Sequence, residues 1–191
     1  VFDCSGVADG AACALIVPAD RAHEYTDTPM YVSALALTAG SGHGAMDSGY
    51  DYTSFPEVVR SARDAYTQAG ISDPHTQLSF AEVHDCFTPT EIVLMEDLGF
   101  TGPGQAVKDV LAGEFDADGR LPVNPDGGLK SFGHPVGASG LRMLYEAWLQ
   151  FRGEAGERQL ADPHTALTHN LGGRPGGCVS FVSIVTNRQG S

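Results

Sequence analysis

Basic side chains are scarce in this sequence: 11 Lys and Arg stand against 24 Asp and Glu, giving a formal charge of −13 and a pI near 4.7. That balance argues against a nucleic-acid or anionic-membrane surface, because phosphate recognition needs clustered cations. No apolar run reaches the roughly 18 residues of a membrane span. The opening residues, which start at Val1 without Met, read as the middle of a fold rather than as a charged-then-apolar leader. Only four cysteines occur, Cys4, Cys13, Cys86 and Cys178, with no CxxC pair. Such a pattern excludes a disulfide scaffold and predicts mostly buried, reduced thiols in a cytoplasmic protein, with Cys86 set apart by its neighbours.

What is present is an ordinary globular composition, 42% hydrophobic and 18% charged, with an excess of glycine, 24 of 191 residues. The glycines point to tight turns and backbone-lined sites. Along the chain, residues 11–17 are an unbroken apolar run closed by Pro18 and read as a buried strand. Residues 20–29 form a polar connector, residues 31–37 a second strand, and residues 39–49 a Gly- and Ser-rich loop. Pro56 opens an amphipathic helix with Val58, Val59, Ala62, Ala65, Tyr66 and Ala69 on one face, stopped by Gly70. Residues 78–83 alternate like a strand.

Thr88, Pro89 and Glu91 then predict an N-capped helix with a capping box, running to Gly99. A Gly-rich run at 124–140 reads as loop. A third helix over 139–152 presents Leu141, Leu144, Tyr145 and Trp148. Residues 166–169 and 178–185 are the last strands, separated by a turn at 171–177. This alternation predicts an α/β layered domain.

Three loops at strand ends or helix starts carry the chemistry. In His84-Asp85-Cys86-Phe87 the thiol lies just before a helix start, whose field is too weak to ionise it fully at neutral pH. A thiol so placed suits acid/base work, and a buried structural Cys is the alternative. In Gly133-His134-Pro135-Val136-Gly137-Ala138-Ser139-Gly140, Pro135 forces an extended backbone at His134, and the glycines permit close approach. In His169-Asn170-Leu171-Gly172-Gly173, the glycine amides are candidate oxyanion donors, or an ordinary hairpin turn. A metal site using His84, Cys86, His134 and His169 is disfavoured, because no paired ligand spacing occurs. The segment Asn124-Pro125-Asp126-Gly127-Gly128 is not a phosphate-binding motif.

Taken together, these loops resemble the C-terminal half of a thiolase. Residues 124–140 look like the family's GHP loop, and His84-Asp85-Cys86-Phe87 like the HDCF motif of the sterol-carrier-protein-type thiolases. His169-Asn170-Leu171-Gly172 is similar to the loop that replaces CxG there, and residues 4–12 look like the segment entering the last strand of the N-terminal half. The resemblance implies an α/β thiolase-fold C-terminal domain, with a mixed five-stranded sheet and helices on both faces. Residues 1–28 would end the N-terminal half with its last strand and connector, and residues 29–191 would form the C-terminal domain. It further implies Claisen cleavage or condensation of a β-ketoacyl-CoA with coenzyme A as substrate and no resident cofactor.

By the same resemblance Cys86 is the acid/base, and His134 activates the nucleophile and donates to the thioester oxygen. His84 replaces the Asn that holds an oxyanion-hole water, Gly172 is a backbone donor, and Asn170 stands where other thiolases carry their acid/base Cys. Ser5, Phe87 and Gly133 would border substrate, Ser5 near the pantetheine arm. A homodimer or tetramer is implied, with a zinc-ribbon/OB-fold partner in some relatives.

One departure is plain: the family's nucleophilic Cys lies in a CxS motif, and none occurs in these 191 residues. The expectation is therefore a back half that is inactive alone and tends to associate. The competing expectations are a related retro-aldolase on a β-hydroxyacyl-CoA, in which tyrosine replaces the HDCF chemistry, and a non-catalytic assembly module.

Overall fold

A computed structural model describes residues 3–43, 48–174 and 176–189. Residues 44–47 of the loop expected at 39–49, and Pro175 of the turn expected at 171–177, lie outside the described residues. Four strands, β1 (Tyr31–Ala39), β2 (Phe80–Glu82), β3 (Thr165–Gly172) and β4 (Val179–Thr186), form one mixed sheet in the order β1-β4-β3-β2. β4 runs antiparallel to both neighbours and β2 runs parallel to β3. Among the described residues six α-helices accompany them: α1 (Pro56–Ala69), α2 (Pro74–Gln77), α3 (Thr88–Asp97), α4 (Ala106–Leu111), α5 (Gly128–Phe132) and α6 (Ser139–Arg152).

The pleat sorts the two cores, because alternate residues of a strand face opposite sides. Leu167, Val182 and Ile184 join Val58, Ala62 and Ala65 of α1 and Leu94 of α3 on one face. Ala166 and Val185 join Phe80 and Ala147 of α6 on the other. Helices therefore cover both faces, as expected. At the β1 side of the α6 face no helix follows among the described residues, and Leu35 and Leu37 stay 53% and 65% exposed.

Among the described residues the sheet has four strands, not five. The place of a fifth is marked by Val123, which makes one parallel bridge to Ala81 through Ala81 N–H to the Pro122 carbonyl (2.9 Å) and Asn124 N–H to the Ala81 carbonyl (2.8 Å). It goes no further because Pro122 has no N–H and Asn124 turns to φ +50°.

Residues 11–17 form no strand: Leu15 and Ile16 are 73% and 89% exposed, and no ladder partner lies beside them among the described residues. An apolar run becomes a strand only where a neighbour takes its backbone groups. The connector holds a short 3₁₀ turn, Ala19–Glu24. α5 forms within the run that was expected to be loop, and α2 and α4 lie in stretches to which no element was assigned.

α1 ends as expected at Gly70, in the left-handed region at φ +69°. Its buried face is shifted: Val59 is exposed and Glu57 and Ser61 are buried. α6 matches its expected bounds, but the expected face packs only in part: Leu144 lies against the Phe80 and Ala147 cluster. Tyr145 is exposed and stacks on Trp148 at the surface, while Met143, Glu146, Ala147 and Gln150 are buried. The polar pair faces inward because it satisfies the following loop. Gln150 donates to the Arg158 carbonyl and accepts from Leu160 N–H, both at 2.9 Å, and Glu146 meets Arg158 at 2.9 Å.

The capping box of α3 does not form. Phe87 is the N-cap without a side-chain cap. Thr88 Oγ1 donates to Asp3 at 3.0 Å, and Glu91 accepts from Asn124 Nδ2 at 2.8 Å. The cysteines also depart from expectation: Cys4 and Cys13 are exposed, Cys86 is intermediate and only Cys178 is buried.

Candidate active site

β2 delivers the first loop. Its three residues are wholly buried beside β3, so the chain leaving it places His84, Asp85 and Cys86 at the sheet edge, with α3 starting behind them. α5 ends at Gly133 (φ +80°, ψ 175°), a conformation nearly restricted to glycine, and this turn presents His134. β3 carries Asn170 and Gly172 at its end.

These three loops border one cleft of about 690 Å³, where His84, Cys86, Phe87, His134, Asn170 and Gly172 meet. Ser5 and Gly133 are not in its wall. Ser5 instead donates its amide to the Cys86 carbonyl at 2.9 Å. Phe55, Val136, Leu171, Val179 and Phe181, which the sequence does not single out, give the cleft a largely apolar lining.

The rings of His84 and His134 meet edge to face, centroids 4.9 Å apart. His84 is buried, and desolvation first, then the neighbouring His134, lowers its pKa to about 4; the hydrogen bond with Asn170 works the other way. It is thus a neutral imidazole at physiological pH. Asn170 donates Nδ2 to Met143 Sδ at 3.4 Å, which leaves its amide oxygen for His84.

His134 Nδ1 lies 2.8 Å from Ser139 Oγ, and that hydroxyl donates to the Pro135 carbonyl at 3.1 Å. With the hydroxyl proton so engaged, Nδ1–H must be the donor to Ser139, and Nε2 keeps its lone pair. Sequence reasoning missed Ser139 as a site residue. Its signal was a serine five residues after a histidine at a helix start.

Burial pushes the Cys86 thiol above its ordinary value, against hydrogen bonds from Thr90 and the Phe87 backbone. Cys86 is therefore a thiol, not a thiolate, at neutral pH. His169 lies wholly buried in β3, outside the cleft, with its pKa pushed down to about 3 by desolvation and then by His84. Its Nε2 meets Ser180 Oγ at 3.2 Å, which meets Ser61 Oγ at 2.7 Å. Among the described residues no group of three or more His, Cys, Asp or Glu is placed to hold a metal ion.

The N-terminal residues strap the first two loops together. Thr88 N–H donates to the Asp3 carbonyl (3.0 Å), Ser5 N–H to the Cys86 carbonyl (2.9 Å), and His134 N–H to the Gly6 carbonyl (2.8 Å).

The fold that carries this cleft is that of a thiolase C-terminal domain. The family model described as "Thiolase C-terminal domain-like" matches residues 38–184, and the chain belongs to that family. Among similar proteins is the acetyl-CoA acetyltransferase of Methanothermobacter thermautotrophicus, 44% identical over 92% of this chain and 45% of its own length. Sterol carrier protein 2 of Bos taurus is 34% identical over 90% of this chain and 32% of its own length.

Among solved structures, the Ltp2-ChsH2(DUF35) aldolase matches with TM-score 0.72 and 26% identity, over 90% of this chain and 43% of that one. Human mitochondrial 3-ketoacyl-CoA thiolase shares the fold at TM-score 0.58 and 20% identity, over 97% of this chain and 37% of that one. The chain thus spans less than half the length of each of these relatives.

Proposed function

We propose that the chain is the C-terminal part of a thiolase-type acyltransferase that cleaves or forms β-ketoacyl-CoA with coenzyme A as co-substrate. The observation that carries the reading is the meeting of Cys86, His84, His134, Asn170 and Gly172 around one cleft. In the cleavage direction, a nucleophilic thiol from outside these 191 residues attacks the keto carbon. Its proton passes to His134 Nε2, the ring atom that the Ser139 contact leaves free. The bond between the α-carbon and the keto carbon then breaks, and its electron pair moves into the enolate of the departing acyl-CoA. Cys86, kept as a thiol by burial, gives its proton to that α-carbon. The Gly172 backbone N–H is the donor for the oxygen on the keto carbon, and His134 Nε2–H, once protonated, for the thioester oxygen of the departing enolate, while the single N–H of neutral His84 is held by Asn170. Cys86 as thiolate then takes the proton of coenzyme A, whose sulfur attacks the acyl-enzyme; the bond to the outside nucleophile breaks, and that sulfur recovers its proton from His134 Nε2.

In this reading residues 1–28 complete the N-terminal half, the intact protein is a homodimer or tetramer in the cytoplasm, and the 191-residue chain alone is inactive. The test is acetoacetyl-CoA cleavage by the natural full-length protein and by the isolated chain. Turnover by the former, lost roughly a hundredfold or more in Cys86→Ala, is expected; turnover by the isolated chain sinks the requirement for an outside nucleophile.

A second reading, retro-aldol cleavage of a β-hydroxyacyl-CoA with a zinc-ribbon/OB-fold partner, draws on the similarity to the Ltp2-ChsH2(DUF35) aldolase. Cys86 beside His84 favours the first. Cleavage of a β-hydroxyacyl-CoA without thiolysis of acetoacetyl-CoA would reverse that order.

A further inference from the structure

We propose that Asp85 is a positioning residue that sets His134 opposite Cys86. By sequence it belongs to the His84-Asp85-Cys86-Phe87 loop, yet its carboxylate is turned away from the cleft and bonded to the other loop. Oδ1 accepts the Leu129 N–H at 2.7 Å and Oδ2 the Lys130 N–H at 3.3 Å. Asp85 is only 3% exposed, so these bonds are made without competing water. They are charge-assisted, the stronger kind.

Leu129 and Lys130 open α5, a helix of five residues, and the turn at its end presents His134. Two bonds from Asp85 thus fix one end of a short rigid element whose other end carries the ring.

The fit at the contact is close. Gly127 and Gly128 adopt φ +92° and +62°, and a Cβ on Gly128 would stand 2.4 Å from Asp85 Oδ2. The backbone therefore approaches the carboxylate as near as it can. Asp85 shares its loop with His84 and Cys86, so the same residue that leads into the thiol also seats the histidine. A lateral shift of the reacting groups by about 1 Å is enough to cost roughly a hundredfold in rate, which gives this link its leverage. An amide at position 85 would keep one acceptor but turn an NH₂ toward the second N–H, so the geometry demands a carboxylate.

The inference rests on the functional reading for its kinetic arm only. The experiment compares Asp85→Asn and Gly128→Ala with the parent in the protein at its natural length. The ring nitrogens of His134 are observed after ¹⁵N-histidine labelling and assigned by replacing His134. Gly128→Ala keeps Asp85 and obstructs its contact with α5, at the added cost of a side chain at φ +62°, and supplies the reading if Asp85→Asn is too unstable to record.

The expected result is a His134 that moves from one tautomer to a mixture, with kcat for thiolysis down roughly tenfold to a hundredfold and KM within about twofold. A folded variant with unchanged His134 nitrogen signals overturns the proposal. If the protein shows no thiolysis but the ring signals still respond, the functional reading fails and the positioning role stands.

Discussion

His134 and Ser139 form a closed pair: Nδ1 stands 2.8 Å from the hydroxyl oxygen, whose proton is committed to the Pro135 carbonyl at 3.1 Å. The serine is 1% exposed and begins α6, so the pair ties the ring to a rigid element. Ser139→Ala removes the acceptor and frees both tautomers. The expected outcome is a stability loss of about 1 kcal/mol in urea unfolding, and a kcat for the full-length protein lowered about tenfold with little change in KM. An unchanged kcat would mean that the pair does not control the base.

Cys86 makes a prediction opposite to the usual expectation for a reactive thiol. Burial raises its pKa, whereas Cys4 and Cys13 are exposed. At pH 7, iodoacetamide followed by peptide mass mapping should modify Cys4 and Cys13 faster than Cys86. Alkylation of Cys86 should accelerate only on the alkaline side of an ordinary thiol. Preferential labelling of Cys86 at neutral pH would contradict the assigned environment.

Stability against pH has two limbs with separate causes. His84 and His169, lowered to about 4 and about 3, are neutral in the fold, while unfolded histidine binds a proton near pH 6.5. Their contribution is complete above about pH 6.5 and is lost as pH falls toward those folded values. Glu82 and Glu91, raised to about 8 and about 7 chiefly by burial, are protonated in the fold, with Arg142 at 3.6 Å from Glu82 only partly offsetting that effect. Their contribution is complete below about pH 4.3 and is lost as pH rises toward 7–8. The two proton differences cancel between roughly pH 4.5 and 6.5. Urea unfolding should show a plateau there and decline on both sides. Glu82→Gln should reduce the alkaline decline and leave the acid limb in place.

Gly133→Ala tests the turn that presents His134. The position needs φ +80° with extended ψ, and a Cβ there would meet the Ala8 Cβ at 2.7 Å. A loss of about 1–3 kcal/mol in unfolding free energy is expected. The effect should shrink when the first nine residues are removed, since the clash with Ala8 then disappears. Equal losses in both backgrounds would assign the cost to the backbone alone.

Much of this arrangement is legible from residues, and the illegible parts share a cause. Gly70 stops α1 and residues 139–152 bound α6, because local conformational rules govern both. His84, Cys86, His134, Asn170 and Gly172, the candidates picked from the sequence, line one cleft, the first three from loops and the last two from the end of β3. The inward face of α6 is not, because Glu146 and Gln150 are buried for partners in residues 158–160 that no periodicity reveals. The cap of α3 fails likewise: Thr88 and Glu91 find Asp3 and Asn124, 85 and 33 residues away. Residues 11–17 have a strand's composition but no neighbour to bond. α5 hides under glycines that read as loop, and with it the part played by Asp85.

The strap at the N-terminus works almost wholly through peptide groups: the amides of Ser5, Thr88 and His134 and the carbonyls of Asp3, Gly6 and Cys86. Amides and carbonyls are common to nearly every residue type, so the spacing between the thiol loop and the imidazole loop does not depend on which side chains the strap carries. Val7, fully exposed beside His134, can drift in identity without disturbing either loop. Proline at Ser5 is the exception, because it would delete the very N–H that holds Cys86. The ruler between the two reacting groups is thus written in backbone, and its length is inherited separately from its lettering.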